Sequence, residues 1–426
     1  MASGQTGESH ARTPGKLTRV SDRVTVTAAD MTYTGTDAME PDDRLYGGAA
    51  LADWSQADLI QEIRESFAVV EPRGAEASAW FYEHFFASNP RYRKYFSGDP
   101  AAQHRRLFQA VRRIVEDLDR LDEFLPYLRR LALRHRKFGL RAAHYEAFGV
   151  SLLATLAHYC GPRWTLRTAD AWATGYGLVA DVMLEAAAEA DAVLPAYWEG
   201  EVIEHAMLAP DIARIVVRPL EDAERPGPYV FAAGQYAAVE CSELVRAWRD
   251  FSFAGAPDGG EHQGVEFHIQ SGRAGGVSDA LVNRTAVGDR VRIAAAEGEL
   301  AFPPADRVDR LLAVGHGTGA APIRALVEAA LVRGDLRPTT VLLVSDDGPH
   351  YLTAAFEELA GKHGALTVEE VDGDPLAAAH AHGAATAPGG TCGAVLVGPT
   401  TMVEGCRAAL IAAGVDPADI SSDLFD

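Results

Sequence analysis

The chain of 426 residues has little cysteine, fewer basic than acidic residues, and no long apolar run. Its four cysteines are scattered, with no CxxC pair and no metal-ligand spacing, which argues against a disulfide framework and against a zinc site. No apolar run reaches the roughly 18 residues that a membrane span requires. The first residues also lack a charged-then-apolar signal pattern. We therefore expect a reduced, cytoplasmic protein without a transmembrane segment.

The charge balance restricts the possible partners. Lysine and arginine number 39 against 60 aspartates and glutamates, so the formal net charge is −21. Nucleic acids and anionic membrane surfaces bind basic patches, so the acidic composition argues against both as partners. The length is typical of about three domains. Hydrophobic residues make up 48%, which is ample for folded cores.

The composition and the hydrophobic pattern of the sequence change three times along the chain. Residues 1–50 are rich in Thr, Ser, Gly and Asp and predict a disordered extension, apart from one short strand at 24–26. Residues 51–196 carry apolar residues at a 3.6-residue period and predict an all-α domain. Residues 200–305 contain short strands between Gly and Pro turns, typical of a small antiparallel β-barrel. Residues 306–426 alternate apolar strands with helices and predict a parallel α/β sheet.

Particular segments carry these predictions. In the barrel region, the strands are expected at 213–218, 229–231, 236–240 and 264–270. In the last region, strands are expected at 311–314, 339–345 and 394–397, and helices at 323–332, 352–359 and 402–413.

A glycine-rich loop follows the predicted strand at 311–314. It runs through Gly317, Thr318 and Gly319 to Pro322, where a helix begins. Glycines allow main-chain amides to approach a pyrophosphate, whose charge is favoured at a helix N-terminus. The loop therefore predicts a dinucleotide site.

The end of the next strand bears on the choice of dinucleotide. Ser345, Asp346 and Asp347 follow it. Carboxylates there repel the 2′-phosphate of NADPH and suit a ribose diol, so we expect NADH in preference to NADPH.

Three short motifs in the barrel region suggest a flavin. Arg249 is suited to clamp a flavin phosphate, and Ser252 to hydrogen-bond the isoalloxazine edge. Their order before the glycine loop resembles the ferredoxin-reductase-like superfamily over residues 200–426. By that resemblance, Phe425 takes the place of an aromatic that stacks near the flavin. The motifs are Gly234-Gln-Tyr236, Arg249-Asp250-Phe251-Ser252 and Gly275-Gly-Val-Ser278.

One histidine closes an apolar helical stripe. Phe124, Leu128, Leu131 and His135 are spaced by four, three and four residues, so they share one helix face with the imidazole at its C-terminal end. Taken alone, the pattern favours a core histidine. A reductase in the same chain makes His135 a candidate haem ligand.

The helical region resembles the globin domain of flavohaemoglobins, so the likeness spans nearly all of the chain after residue 55. Residues 80–90 look like the family's second helix. The resemblance implies that Tyr82 and Gln103 hydrogen-bond iron-bound dioxygen and that Phe96 wedges the haem. It also implies that His135 is the proximal iron ligand, with Tyr145 as its hydrogen-bonding neighbour.

Three positions depart from the family pattern. The family's last globin helix carries a glutamate that completes a relay with the tyrosine and the proximal histidine. Here that position falls on Ala187, and Glu185 and Glu189 lie about 200° around the helix. In the reductase, Phe251 replaces a tyrosine and Val397 replaces a cysteine. Each change predicts slower electron transfer rather than loss of a cofactor.

The resemblance implies a nitric oxide dioxygenase, in which electrons pass from NADH through FAD to haem b and nitric oxide reacts with O₂ to give nitrate. Two alternatives remain open. One is a divergent haem–flavin oxidoreductase with another electron donor or acceptor. The other is a sensor or store of O₂ or nitric oxide whose reductase keeps the iron ferrous. We expect a monomer.

Overall fold

The computed structural model describes residues 55–96, 100–220, 228–257, 264–346, 348–371, 374–384 and 390–425. The predicted extension with its strand at 24–26 lies outside the described residues, as does Asp347. The chain divides into two compact units, one ending at Ala192 and the other beginning at Val193. No helix in the described ranges is long and apolar enough to cross a membrane.

The described part of the first unit is built from α-helices, as predicted. Short 3₁₀ turns join several of them. The helices are α1 Gln56–Val70, α2 Gly74–Ser88, α3 Pro100–Asp117, α4 Leu121–Arg136, α5 Ala142–Cys160 and α6 Leu166–Asp191.

Helical periodicity explains how these helices pack. In α1 the buried Ile63, Phe67 and Val70 recur at intervals of four and three residues and therefore form one apolar stripe. In α4, Phe124 and Leu128 are almost fully buried, whereas His135 at the end of the same stripe is half-buried. The predicted stripe therefore lies on one helix.

The second unit begins with a six-stranded antiparallel sheet in the order β4-β3-β6-β1-β2-β5. A short helix, α7 Val277–Asn283, follows β5. The strands are β1 Tyr197–Ala209, β2 Ile212–Pro219, β3 Tyr236–Cys241, β4 Arg249–Ser252, β5 Val265–Gln270 and β6 Arg290–Ala294.

This sheet curls into a nearly closed barrel. Phe253, just after β4, pairs with Phe267 of β5, which joins the two edges of the sheet. Both rings are completely buried in the barrel core. The predicted strand at 229–231 is wrong: Tyr229 packs its ring against Phe253 and donates its hydroxyl to the Ala294 carbonyl, but its backbone joins no ladder. Apolar side chains there serve the core without a strand.

A five-stranded parallel sheet completes the unit, in the order β11-β10-β7-β8-β9. The remaining helices alternate with its strands, as the sequence predicted. The elements are β7 Arg310–His316, α8 Ala320–Arg333, β8 Thr339–Val344, α9 Thr353–Lys362, β9 Leu366–Val371, α10 Pro375–Ala384, β10 Cys392–Pro399, α11 Thr400–Ala412 and β11 Ile420–Phe425.

The strand order determines where a ligand can bind. β7 lies between β8 and β10, so the connections on its two sides run in opposite directions and leave a crevice beyond its carboxyl end. The glycine loop Gly317–Gly319 occupies that end, and α8 begins directly after it. The predicted dinucleotide loop is therefore at the topological switch point.

Barrel closure gives a stability prediction. Phe253→Ala removes a fully buried ring, and the cavity left behind is expected to cost about 3–5 kcal/mol of unfolding free energy. Val230→Ala is the control, because Val230 is 74% exposed and should cost less than about 0.5 kcal/mol. Native-state hydrogen exchange of the β5 amides measures both. Equal protection in the two variants would contradict closure through Phe253.

Candidate cofactor sites

His135 is oriented by a main-chain hydrogen bond. Its Nδ1 lies 2.7 Å from the carbonyl oxygen of Leu131. Since a carbonyl only accepts, Nδ1 carries the proton and Nε2 keeps its lone pair. Burial lowers the pKa of the imidazole, outweighing the hydrogen bond to Leu131, so the ring is neutral. A neutral imidazole with Nδ1–H bound to a carbonyl is the form that ligates a metal through Nε2, so His135 fits haem iron.

Tyr82 and Phe96 meet in an aromatic cluster. Their ring centroids are 5.6 Å apart in an edge-on arrangement, and Phe86 contacts both rings. Tyr82 is 8% exposed, and burial raises its pKa to about 12. No described residue hydrogen-bonds its hydroxyl, so the phenol keeps a donor for a ligand.

Gln103 and His104 lie on the first turn of α3, and both are half-buried. The His104 ring stacks on Tyr82 with centroids 5.1 Å apart and planes inclined by 19°. Sequence reasoning missed His104, because an apolar stripe through Gln103 and Leu107 points the neighbouring residue away from that face. The packing of α3 against α2 brings it back to Tyr82.

Tyr145 lies on α5 among the apolar residues of α4 and α6. Burial raises its pKa to about 12. The Tyr176 hydroxyl donates to the main-chain carbonyl of Tyr145 at 2.7 Å. Among the described residues, no carboxylate accepts from the Tyr145 hydroxyl.

The departure at Ala187 is visible in α6. Ala187 is half-buried, whereas Glu185 and Glu189 are exposed. Glu189 forms an ion pair with Arg129. Neither glutamate takes the place of the family's relay carboxylate.

The flavin motifs converge on neighbouring strands. Tyr236 of β3 lies directly opposite Ser252 of β4, so the two side chains share one face of the barrel. A side chain at Gly298 would come within 3.0 Å of the Tyr236 ring. Tyr236 and Gly298 line a cavity of about 280 Å³ with Asp423 of β11. The cradle fits the edge of a planar ring system.

Further predicted flavin residues lie on β4, the strand that pairs with β3 beside the cavity. Arg249 and Asp250 are exposed on β4, and Phe251 packs against the barrel core. Burial raises the pKa of Asp423, and the charge of Asp250 adds to the rise.

The segment before α7 differs from a simple anion cradle. Gly275 has a positive φ of 77°, and its N–H donates to the Asp279 carboxylate at 2.9 Å. Ser278 is half-buried, with its hydroxyl close to Gly272. A phosphate bound here would compete with Asp279 for the Gly275 amide.

The dinucleotide loop is closely packed. A Cβ on Gly319 would lie 2.6 Å from the carbonyl oxygen of Val397 and 3.1 Å from the Phe425 ring. Only glycine therefore fits at this position, and the C-terminal aromatic lies over the loop. Gly317 has a positive φ of 52°, Thr318 follows it, and Pro322 is buried in the first turn of α8.

The sequence analysis did not predict that two histidines lie at this loop. His316 lies 3.1 Å from the Asp346 carboxylate, and the Nε2–H of buried His350 donates to the Gly317 carbonyl at 2.9 Å. The Ser345 hydroxyl donates to the Gly348 carbonyl inside its own turn. Ser345 and Asp346 are the two predicted residues here that the structure describes, and Asp346 is the exposed carboxylate at the end of β8, paired with His316.

The buried phenols predict a loss of stability at high pH. The pKa of Tyr82 is raised from 10 to about 12, so the unfolded chain ionises first. The stabilisation is complete below pH 10 and is lost as pH rises from 10 to 12. Tyr82→Phe should reduce that loss by about 1–3 kcal/mol in chemical denaturation of the cofactor-free chain. Phe86→Leu should keep the wild-type slope; equal slopes in both variants would contradict the burial of this phenol.

Comparisons with known proteins agree with this architecture. A model of the globin family matches residues 79–183. The flavohemoprotein of Chromobacterium violaceum is 27% identical over 325 residues, covering 72% of this chain and 79% of the relative. The flavohemoprotein of Bacillus subtilis is 24% identical over 331 residues, covering 74% and 80%.

A solved structure shows the same fold. The flavohemoglobin of Malassezia yamatoensis, crystallised with bound FAD and heme, matches with a TM-score of 0.70 at 17% identity. The match covers 89% of this chain and all of that chain. With a globin match in the helical unit, followed by a barrel and a parallel sheet, the chain has the architecture of flavohaemoglobins.

Proposed function

We propose that the chain is an NADH-dependent nitric oxide dioxygenase that uses haem b and FAD. The observation that carries the proposal is the hydrogen bond from His135 Nδ1 to Leu131, which leaves Nε2 for iron. The glycine loop at the topological switch point supports a dinucleotide site in the same chain, and such a site would supply the electrons. We retain 51–196, 200–305 and 306–426 as the proposed domains for haem, FAD and NADH.

Each residue has a proposed part. His135 would hold the iron, with Phe96 against the haem and Tyr145 behind the histidine. Tyr236, Ser252 and Phe425 would contact the flavin ring. The flavin phosphates would be bound by Arg249, Gly275 and Ser278. The dinucleotide would be bound by the loop of Gly317, Thr318 and Gly319 and by Pro322.

When bound, the three cofactors supply a path for electrons from NADH to an O₂-binding iron. The protein's contribution at the haem is a donor in an apolar pocket. The Tyr82 phenol remains protonated at neutral pH because burial raises its pKa to about 12, so it can donate to dioxygen. Gln103 is a second candidate donor on α3. The rings of Phe86 and Phe96 contact Tyr82 and would shield that bond from competing water.

The overall reaction is balanced by one electron for each nitric oxide. Two nitric oxide and two dioxygen molecules take two electrons from one NADH and give two nitrate ions, NAD⁺ and a proton. Asp346 supports NADH over NADPH, because its exposed carboxylate at the end of β8 would repel a 2′-phosphate.

Nitric oxide consumption by the reconstituted chain tests the proposal. We expect rapid multiple turnover in stopped-flow mixing with NADH and O₂, with nitrate as the product. His135→Ala should lose the haem Soret band and this activity but keep the flavin absorption. His158→Ala, an exposed histidine of the same unit, should behave as wild type. No turnover above free haem in the wild type would reject the proposal.

A second candidate function rests on Ala187. Without a relay carboxylate, the hydrogen-bond partner of His135 among the described residues is a carbonyl, and the imidazole would donate less electron density to a bound iron. An O₂ or nitric oxide sensor or store, or an oxidoreductase with another acceptor, would then suit the chain better.

Ala187→Glu distinguishes the two candidates. A carboxylate at this position should reach the buried side of α6, raise the Fe–His stretching frequency in resonance Raman spectra and lower the haem reduction potential. A gain of about tenfold or more in nitric oxide turnover would indicate that the native chain is tuned for another task. Ala188→Glu places the same charge at an exposed position and should change neither quantity.

A further inference from the structure

Glu266 is the centre of a buried polar network between the barrel and the parallel sheet. It lies on β5, and its side chain is 13% exposed. Arg214 of β2 donates to one carboxylate oxygen at 2.8 Å, and Arg324 of α8 donates to the other at 3.2 Å. Burial opposes ionisation, but the bonds from His268 and Arg214 and the charge of Arg324 hold the pKa of Glu266 well below its usual value. Glu266 is therefore a permanent acceptor.

His268 extends this network toward the nucleotide sheet. Its side chain is 1% exposed, and Nε2 lies 2.9 Å from Glu266 Oε1. Because the carboxylate accepts, Nε2 carries the proton and Nδ1 accepts from the Tyr351 hydroxyl at 3.1 Å. The bonds run in one direction, from Tyr351 through His268 to Glu266.

Tyr351 is joined to the dinucleotide loop through its neighbour. His350 Nδ1 accepts from the Leu352 N–H at 3.1 Å, so Nε2–H is the donor to Gly317. The His350 N–H also donates to Glu370 of β9 at 3.0 Å. Residues 350 and 351 are therefore hydrogen-bonded to β5, to β9 and to the loop.

The network closes on the element that carries the loop. Arg324 lies near the start of α8, five residues after the loop's last glycine, and is bound to Glu266. One side of the loop is thus tied to Glu266 through Arg324. The other side is tied to Glu266 through His350, Tyr351 and His268.

The bond to Gly317 has a consequence for phosphate binding. The Gly317 carbonyl and the Thr318 N–H belong to one planar trans peptide, in which they point in opposite directions. Turning the carbonyl to His350 therefore aims the Thr318 N–H to the opposite side. The Gly317 carbonyl also accepts from the Ala320 N–H at the end of the 3₁₀ turn, so the histidine bond is a second restraint on this peptide, and one that comes from outside the turn.

We propose that Tyr351 and His268 are positioning residues of the dinucleotide loop, which act by holding His350 on the Gly317 carbonyl. This inference rests on the proposed NADH site. The network binds no cofactor itself; it keeps a phosphate-binding amide aimed before the dinucleotide arrives, and so reduces the ordering that binding requires.

Tyr351→Phe tests the inference because it removes one hydroxyl and leaves the ring. We expect the Kd of NADH to rise about tenfold, which corresponds to about 1.4 kcal/mol, while flavin reduction at saturating NADH changes less than twofold. Without NADH, the amides of residues 317–321 should exchange hydrogen faster than in the wild type. His350→Ala should show the same pattern, and His350→Gln, which keeps a donor, should restore part of the affinity.

Tyr229→Phe is the matched control. It removes an equally buried phenol hydroxyl, which donates to Ala294 at 2.8 Å inside the barrel, away from the loop. It should lower stability without changing NADH affinity or loop exchange. If Tyr351→Phe and Tyr229→Phe have the same NADH affinity and loop exchange, the positioning role is overturned. Failure of the wild type to bind NADH would instead reject the proposed function on which that role rests.

Discussion

Hydrogen bonds from neutral imidazoles to main-chain carbonyls determine the geometry of two candidate sites in separate units. His135 donates to Leu131 in the helical unit, and His350 donates to Gly317 at the dinucleotide loop. In both, a carbonyl that only accepts selects one tautomer. The effect of the hydrogen bond differs between the two histidines. At His135 the bond frees Nε2 for a metal, whereas at His350 it orients a peptide whose other side faces away. The expected electron path thus depends on two modest neutral bonds rather than on strong ion pairs.

Charged groups have a different part in this chain. The strong, ionised network of Glu266 lies between the barrel and the parallel sheet, and it supports the loop from a distance. At the position where the sequence resemblance leads us to expect a carboxylate behind His135, this chain has Ala187. A buried, ionised network therefore joins the barrel to the parallel sheet, whereas position 187 on α6 carries no charge. This distribution is the physical reason for keeping a sensor or store beside the dioxygenase as a candidate.

Much of the fold could be predicted because its patterns are local. The 3.6-residue period of α4, the alternating strands and helices after residue 306 and the glycine loop at Gly317 each follow from neighbours in sequence. The strand at 229–231 could not be judged in this way. Its apolar residues fill the barrel core, but whether a segment pairs depends on a partner strand elsewhere in the chain. Asp279 likewise occupies the Gly275 amide, which local glycine spacing does not reveal.

By itself, the sequence determined the order of helical region, barrel and parallel sheet along the chain. It also determined the residue types at the expected cofactor sites, including the departures at Ala187, Phe251 and Val397. Residue identity and short-range periodicity are properties of the chain alone. Only the tertiary structure decided which groups meet. His104 reaches Tyr82 through helix packing, and His350 reaches a carbonyl 33 residues away. Arg324 reaches Glu266 across 58 residues. Such contacts depend on how layers pack, and no local pattern encodes the distance between residues that only folding brings together.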